Sequence, residues 1–288
     1  MLNIKKILLP VDFPNTSLRV VHQAATFSRH FHSEIMMLHV ATPQSHAAGA
    51  PDHGPELVGW DMLGEIIRGA EQSVDRAVGP ALDGLVIQRI LAKGAAARAI
   101  VQTAQEQKAD LIMMPSHGRT FYEYLLGSVT AKVLHGTECP IWTDAHVQET
   151  SVQEFAIRNV LCAVDFNPHD RKTVSWAAQM AAEFGARLVL AHVTAGVESW
   201  GPGGSYVNPK WKEELVGDAS RRLADLRQDM GIKAEIFVGS GDAPKVLSQV
   251  AERTKADLLV TGCHPYGGRL RTHGFAIICA APIPVLSV

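Results

Sequence analysis

Charge of either sign is scarce in this 288-residue chain, and neither sign prevails. Charged residues make up 19%, with 27 Lys and Arg against 29 Asp and Glu and a net charge of −2. The basic footprint that draws a protein to nucleic acid is missing. Split after Asp144, the chain has 12 basic and 14 acidic residues before the cut and 15 of each after it. Neither half therefore reads as a polyanion binder or a membrane-surface protein. Cysteine is sparse as well. Cys139, Cys162, Cys263 and Cys279 stand apart with no Cys-x-x-Cys pair, which is the usage of a reduced cytoplasmic protein rather than a disulfide scaffold. Long apolar runs are also lacking. Ile7–Val11 stops at Asp12, too short for a signal-peptide core, and Phe275–Val288 is interrupted by Pro282 and Pro284 and falls short of a membrane span. The expected setting is cytoplasmic, with neither nucleic acid nor membrane as a partner.

Signatures of catalysis are missing too. There is no Gly-x-Ser-x-Gly elbow, no complete Walker loop, no His-Glu-x-x-His and no evident carboxylate pair. An efficient phosphoryl-transfer centre is not expected. The 13 histidines show no regular metal-ligand spacing. His39 and His192 lie within apolar runs and read as hydrogen-bonded strand-end histidines, so no metal is assigned.

What the chain does have is itself, twice. Ile7-Leu8-Leu9-Pro10-Val11-Asp12-Phe13 returns as Val160-Leu161-Cys162-Ala163-Val164-Asp165-Phe166, and Met37-Leu38-His39-Val40 returns as Leu190-Ala191-His192-Val193, both at an offset of 153. Lys108-Ala109-Asp110 matches Lys255-Ala256-Asp257 at 147, and Cys139-Pro140-Ile141 answers Ile283-Pro284-Val285 at 144. The first change places a six-residue difference between the second and third strands. The second is expected to make the last helix of the second copy about one turn shorter. Two copies of one domain, residues 1–144 and 155–288, are joined by a polar linker.

Within each copy, short apolar runs alternate with helical patterns. The strand candidates of the first copy are Lys6–Val11, Glu34–Val40, Leu85–Ala92, Asp110–Pro115 and Pro140–Thr143. Their near-continuous Val, Ile and Leu content is that of strands buried on both faces of a parallel sheet. Val174, Ala177, Ala178, Ala181 and Phe184 recur at helical spacing, and Asn15-Thr16-Ser17 offers N-cap chemistry at the first helix. The fold class is α/β: two tandem doubly wound, Rossmann-like domains, each with a five-stranded parallel sheet.

In such a sheet a ligand sits beyond the carboxyl ends of the strands, where the strand order reverses. Two loops of the first copy carry suitable chemistry, Pro10–Ser17 and Met114–Thr130. Gly118 lets the backbone approach a phosphate, and Gly127-Ser128 precedes a helix whose amides can face an anion. Asp12 and Asp165 are equally read as turn caps, and Ser128 as an N-cap. The loops Thr42–Trp60 and Thr194–Trp211 are long, rich in Pro and Gly, and open to reading as lids or as plain surface.

The tandem repeat, Asp12 and Asp165 at strand ends, the His-Val pairs, and Ser116-His117-Gly118 with Leu126-Gly127-Ser128-Val129-Thr130 together resemble the universal stress protein family over nearly the whole chain. The resemblance implies the adenine nucleotide alpha hydrolase-like form of the fold. It also implies an adenine nucleotide, ATP foremost and with Mg2+ in attendance, held by Asp12, Val40, Gly118, Gly127, Ser128 and Val129, with Pro10, Val11 and Met114 as walls. In the second copy it points to Asp165, Val193, Gly262 and Gly274. The family's phosphate loop reads Gly, two residues, Gly, nine residues, Gly-Ser/Thr. The chain departs from it in both copies. Pro115 replaces the first Gly and only eight residues separate Gly118 from Gly127. Pro265 replaces the second Gly of the second copy, and Phe275 follows Gly274 where Ser or Thr belongs.

Two functions therefore stand side by side. One is a regulatory protein of the stress response that binds nucleotide in its first domain without efficient turnover. The other is an interaction or scaffold protein with both loops degenerate. By resemblance, the final strands of the two domains would pair within the chain, as two single-domain members do, and a further homodimer and an unidentified protein partner are open.

Overall fold

A computed structural model describes residues 2–12, 17–41, 81–116, 126–144, 155–195, 200–201, 204–205, 209–262 and 272–288. The first half runs β1 (Lys6–Val11), α1 (Leu18–Phe31), β2 (Glu34–Ala41), β3 (Ile87–Lys93), α2 (Ala96–Gln107), β4 (Leu111–Pro115), α3 (Ser128–Gly136) and β5 (Ile141–Asp144). The second half repeats it as β6 (Asn159–Ala163), α4 (Asp170–Phe184) and β7 (Arg187–Thr194). A short ribbon of β8 (Trp200–Gly201) and β9 (Gly204–Ser205) intervenes. There follow α5 (Pro209–Asp229), β10 (Glu235–Ser240), α6 (Ala243–Thr254), β11 (Leu258–Thr261), α7 (Thr272–Ala280) and β12 (Val285–Ser287).

All the large strands form one ten-stranded sheet, in the order β10-β7-β6-β11-β12-β5-β4-β1-β2-β3. Pairing is parallel within each half and antiparallel only at β12–β5, where Val285 faces Thr143 and Leu286 faces Trp142. Because that step reverses direction, the carboxyl ends of the two sets of strands emerge at opposite ends of the sheet. Apolar side chains cover both faces, as a parallel sheet requires. One face packs under α1, α4 and α5 with Ile7, Leu9, Trp142, Val160 and Leu286. The other packs under α2, α3, α6 and α7 with Leu8, Ile112, Leu161 and Leu259. Both clusters draw on both halves.

The repeated motifs do the same work twice. Asp110 Oδ2 accepts the amides of Lys5 and Lys6, and Asp257 Oδ2 accepts those of Arg158 and Asn159, so each carboxylate ties down the entry to the first strand of its half. Lys108 and Lys255 close α2 and α6 in the left-handed conformation, with φ of 54° and 50°. Met36 faces Gln88, and Val189 faces Glu235, so the six-residue difference does fall between the second and third strands. Ser17 caps α1, accepting from the Val20 amide at 3.5 Å. Pro10 lies beyond the β1–β4 ladder, which pairs only Ile7 and Leu8, and its missing N–H costs that ladder nothing.

One expectation needs correcting. The final helices α3 and α7 both have nine residues. The three-residue difference lies in the loop before α7, because a helix returning across the sheet has a length fixed by the strands it spans, and a surface loop absorbs the deletion. Gly274 is consequently the third residue of α7 and not the residue that precedes it.

The two halves meet over a ring cluster. Trp142 is fully buried, with its ring centroid 5.0 Å from that of Phe27 and 5.5 Å from that of Phe155. Phe184 of the second half lies 5.8 Å from Phe27 and 5.9 Å from Phe31. The indole N–H donates to Gln23 Oε1 at 2.8 Å, Gln23 Nε2 donates to Asp144 Oδ1 at 3.2 Å, and Arg19 Nε reaches the same oxygen at 3.2 Å. Every polar atom of the indole and the Gln23 amide head thus gains a partner where water is excluded. Replacing Trp142 with Ala removes the ring and strands Gln23. The expected loss of unfolding free energy is about 3–5 kcal/mol in urea denaturation followed by circular dichroism, and a loss below about 1 kcal/mol would contradict this packing.

Candidate functional site

In each half the strand order reverses between the first and fourth strands, β1/β4 and β6/β11, and the sequence-nominated residues gather at those carboxyl ends. In the first half Pro10, Val11 and Asp12 end β1, Val40 lies near the end of β2, and Met114 near the end of β4. Asp12 is exposed, Pro10 and Val40 are half-buried, and Val11 and Met114 are buried in the core. Gly118 lies outside the described residues.

The turn into α3 is fixed at both sides. The Gly127 amide donates to the Ser116 carbonyl at 2.9 Å, and Thr130 Oγ1 donates to the Pro115 carbonyl at 3.0 Å. Gly127 is the N-cap (φ −57°, ψ 139°) and has no side chain to satisfy the helix. The first-turn amides of Ser128 and Val129 have no intrahelical acceptor available. Ser128 is exposed and follows the cap instead of serving as it.

The second half contains an open cleft of about 650 Å³. Its walls are Val164, Ala191, Val193, Leu247 and Ile277, and all four second-copy nominees, Asp165, Val193, Gly262 and Gly274, line it. A Cβ on Gly274 would meet nothing within 4 Å, whereas one on Gly262 would come within 3.1 Å of Thr173 Oγ1. A side chain at position 262 would therefore press Thr173 of α4 by a few tenths of an ångström. Phe275 does not fill the cleft. Its ring turns to His135 of α3, centroids 5.0 Å apart, and packs in the core shared by the halves.

At the mouth of this cleft Asn167 Nδ2 donates to Asp165 Oδ1, and the His169 amide donates to Asn167 Oδ1 at 2.6 Å. Phe166 takes a left-handed backbone, φ 59°, a strained choice for a bulky residue. Its ring is held between His192, 4.3 Å away, and the Arg222 guanidinium, 3.9 Å from the centroid. His192 Nδ1 lies 2.7 Å from the Val164 carbonyl, and His39 Nδ1 lies 3.1 Å from that of Val11. Both histidines fasten the second strand to the end of the first. Beneath Asp165 lies Asp170, buried at the start of α4. Burial, then the negative charge of Asp165 and a hydrogen bond between the two, push the Asp170 carboxyl up to about 7, against amide donors at Asp165 and Asn167 that hold it down. Sequence reading missed this carboxyl pair, whose members are five positions apart. The self-alignment held the signal, since Asp170 stands where the first half has Ser17. Trp211, read as part of a loop, lies on α5 and is exposed. The stretch Thr42–Trp60, Cys263, His264, Arg269 and Arg271 lie outside the described residues.

A sequence model of the universal stress protein family matches the chain twice, over residues 3–143 and 156–288. The chain belongs to the universal stress protein family. A universal stress protein of Methanocaldococcus jannaschii is 31% identical over 140 residues, 48% of this chain and 79% of that protein. Universal stress protein A of Escherichia coli is 29% identical over 111 residues, 38% of this chain and 77% of its own. The crystal structure of a universal stress protein from Archaeoglobus fulgidus covers 99% of this chain and 96% of its own at a TM-score of 0.68 and 22% identity, a likeness of fold across both halves. The fold of this universal stress protein is therefore the doubly wound α/β arrangement read from the sequence. Among the described residues no helix is long and apolar enough to cross a membrane.

The buried carboxyl pair has a consequence for stability. The folded-state value of Asp170, about 7, lies above its ordinary 3.8, so the folded protein holds this proton more tightly than the unfolded chain. Its contribution is greatest below about pH 4 and is lost as the pH rises toward 7. Urea denaturation at pH 5 and pH 8 should show about 1–3 kcal/mol lost between them that Asp170→Asn abolishes; an unchanged slope in the variant would refute the pair.

Proposed function

We propose that this universal stress protein is a stress-response regulator that binds an adenine nucleotide, ATP foremost, in the cleft of its first half without efficient turnover. The observation that carries the reading is the start of α3. A glycine N-cap with no capping side chain leaves the Ser128 and Val129 amides for an anion, and two hydrogen bonds hold that turn against the end of β4. Helix N-termini of this kind favour phosphate through their amides and the helix dipole. Asp12, exposed at the end of β1, and Val40 at the end of β2 lie where the adenosine portion would extend over the switch point. Gly118 belongs to the same proposal.

Among the described residues no group of three or more His, Cys, Asp and Glu is arranged to hold a metal, and the proposal gives Mg2+ no protein ligands. With no catalytic motif in the sequence, the nucleotide acts through binding free energy: it favours whichever conformation holds it better and so alters contacts with a protein partner or a second copy. Pro115 favours the alternative, an interaction protein that needs no nucleotide, because it offers no N–H to a phosphate and its carbonyl is already taken by Thr130.

Purified chain, denatured and examined by mass spectrometry, should release adenine nucleotide, and calorimetric titration should show ATP binding. Gly127→Val places a branched side chain over the α3 amides on a backbone that valine adopts freely. It should weaken ATP at least tenfold while lowering the thermal midpoint by only a few degrees. No released nucleotide and no binding at millimolar ATP would leave the nucleotide-independent reading.

A further inference from the structure

The two copies differ by one buried acid. At the offset that sets Asp12 opposite Asp165, Ser17 of the first half stands opposite Asp170 of the second. Ser17 caps its helix by accepting the Val20 amide. Asp170 is a buried carboxyl that shares a hydrogen bond with the exposed carboxyl of Asp165. Two ionised carboxylates have no hydrogen to share, so this contact needs a proton on one of them. Burial puts it on Asp170, which then donates to Asp165.

The turn between β6 and α4 is wrapped around that bond. Asp165 Oδ1 also accepts from Asn167 Nδ2, and Asn167 Oδ1 accepts the His169 amide at 2.6 Å. The Asn167 carbonyl accepts the Asp170 amide at 3.2 Å, and the Asp165 and Asn167 amides donate to the Asp170 carboxyl. These bonds close over Phe166, held in the left-handed region at φ 59°, where a bulky residue is strained. Among the described residues the ionisable groups around the pair can be named element by element. Cys162 of β6 lies beneath Asp170, and burial with the Asp170 charge pushes its thiol up. β7 brings His192, whose ring lies against Phe166, and β11 brings no ionisable side chain. Beside Asp170 in sequence stand His169, Lys172 and Arg171, the last paired with Asp229 of α5 at 2.9 Å. Arg222 of α5 is stacked on the Phe166 ring. The charge that raises Asp170 is that of Asp165.

We propose that the turn Asp165–His169 is a proton-operated latch, closed while Asp170 donates to Asp165 and released when that proton leaves. Without the proton, two like charges stand a hydrogen bond apart. Asp170 is enclosed by the fold, whereas Asp165 is exposed on a short turn, so Asp165 is the one that moves. It gives up the Asn167 bond, and Phe166 relaxes from its left-handed backbone. Burial and the neighbouring charge hold the Asp170 proton up to about 7. The latch is therefore shut in mild acid and opens as the pH rises through neutrality. All five residues of the turn line the second-half cleft, so the proton sets the shape of its mouth. The first half has Ser17 in place of the acid and is built without the device. The latch operates whether or not a nucleotide occupies the first half.

Fluorine NMR of the full chain labelled with fluorophenylalanine tests this directly, the Phe166 signal being assigned by its absence in Phe166→Leu. Between about pH 5.5 and about pH 8.5 that signal should move in a single one-proton step centred near 7. Asp170→Asn, whose amide donates to Asp165 at every pH, should hold the signal at its acid position. Asp165→Asn removes the neighbouring charge and should lower the midpoint by at least about one pH unit. Asp165 is exposed, so this second variant keeps the test intact even where Asp170→Asn folds poorly. His192→Gln and His169→Gln should each retain the step. A Phe166 signal that stays fixed in the unmodified chain would overturn the latch. So would a midpoint unmoved in Asp165→Asn, or a step that persists in Asp170→Asn or disappears with either histidine.

Discussion

The antiparallel step between β5 and β12 is the contact on which the rest of the molecule depends. Each half on its own would end its sheet in a short strand with open backbone groups, an edge that invites unwanted pairing. Joining the two edges satisfies those groups, converts two five-stranded sheets into one, and lets each hydrophobic face run through both halves. It also sets the polarity of the molecule. Because direction reverses only there, the two switch points lie at opposite ends of the sheet. Trp142, on β5 at this step, is the largest fully buried side chain among the described residues, and Gln23 and Asp144 satisfy the polar groups beside it.

Duplication kept some residues and released others, and the division follows physical role. Asp110 and Asp257, Lys108 and Lys255, and His39 and His192 hold strands and helix ends in place in both halves. Losing either aspartate or either histidine would leave backbone groups without their side-chain partners. The cleft linings face solvent and carry no such obligation. There the halves have diverged: Ala95 against Asp242 and Pro115 against Gly262. One repeated frame carries two chemically different sets of residues at its strand ends.

Much of this was legible in the sequence because a parallel sheet buried on both faces leaves a plain trace. The run Lys6–Val11 is a strand over the same residues, and the other first-half strands differ from their sequence bounds by one or two positions at an end. The fold positions the nominated first-half residues, save Gly118, at the strand ends and the α3 turn because that is where short loops must leave such a sheet. What escaped was set by direction in space. Alignment by letter put Gly274 opposite Gly127, yet helix length is conserved and the loop is shortened. Phe275 departs from the family's loop by letter, and only the fold turns its ring to His135 and out of the second cleft. No pattern in the sequence links Gln23 to Trp142, and only the fold brings the indole to it.

The central claim is that the α3 turn of the first half holds the phosphates of an adenine nucleotide, and a crystal structure of the protein grown with ATP tests it most directly. ATP is expected in the first half, its phosphates against the Ser128 and Val129 amides. A first half left empty at saturating ATP, or ATP bound there with its phosphates away from that turn, would contradict it.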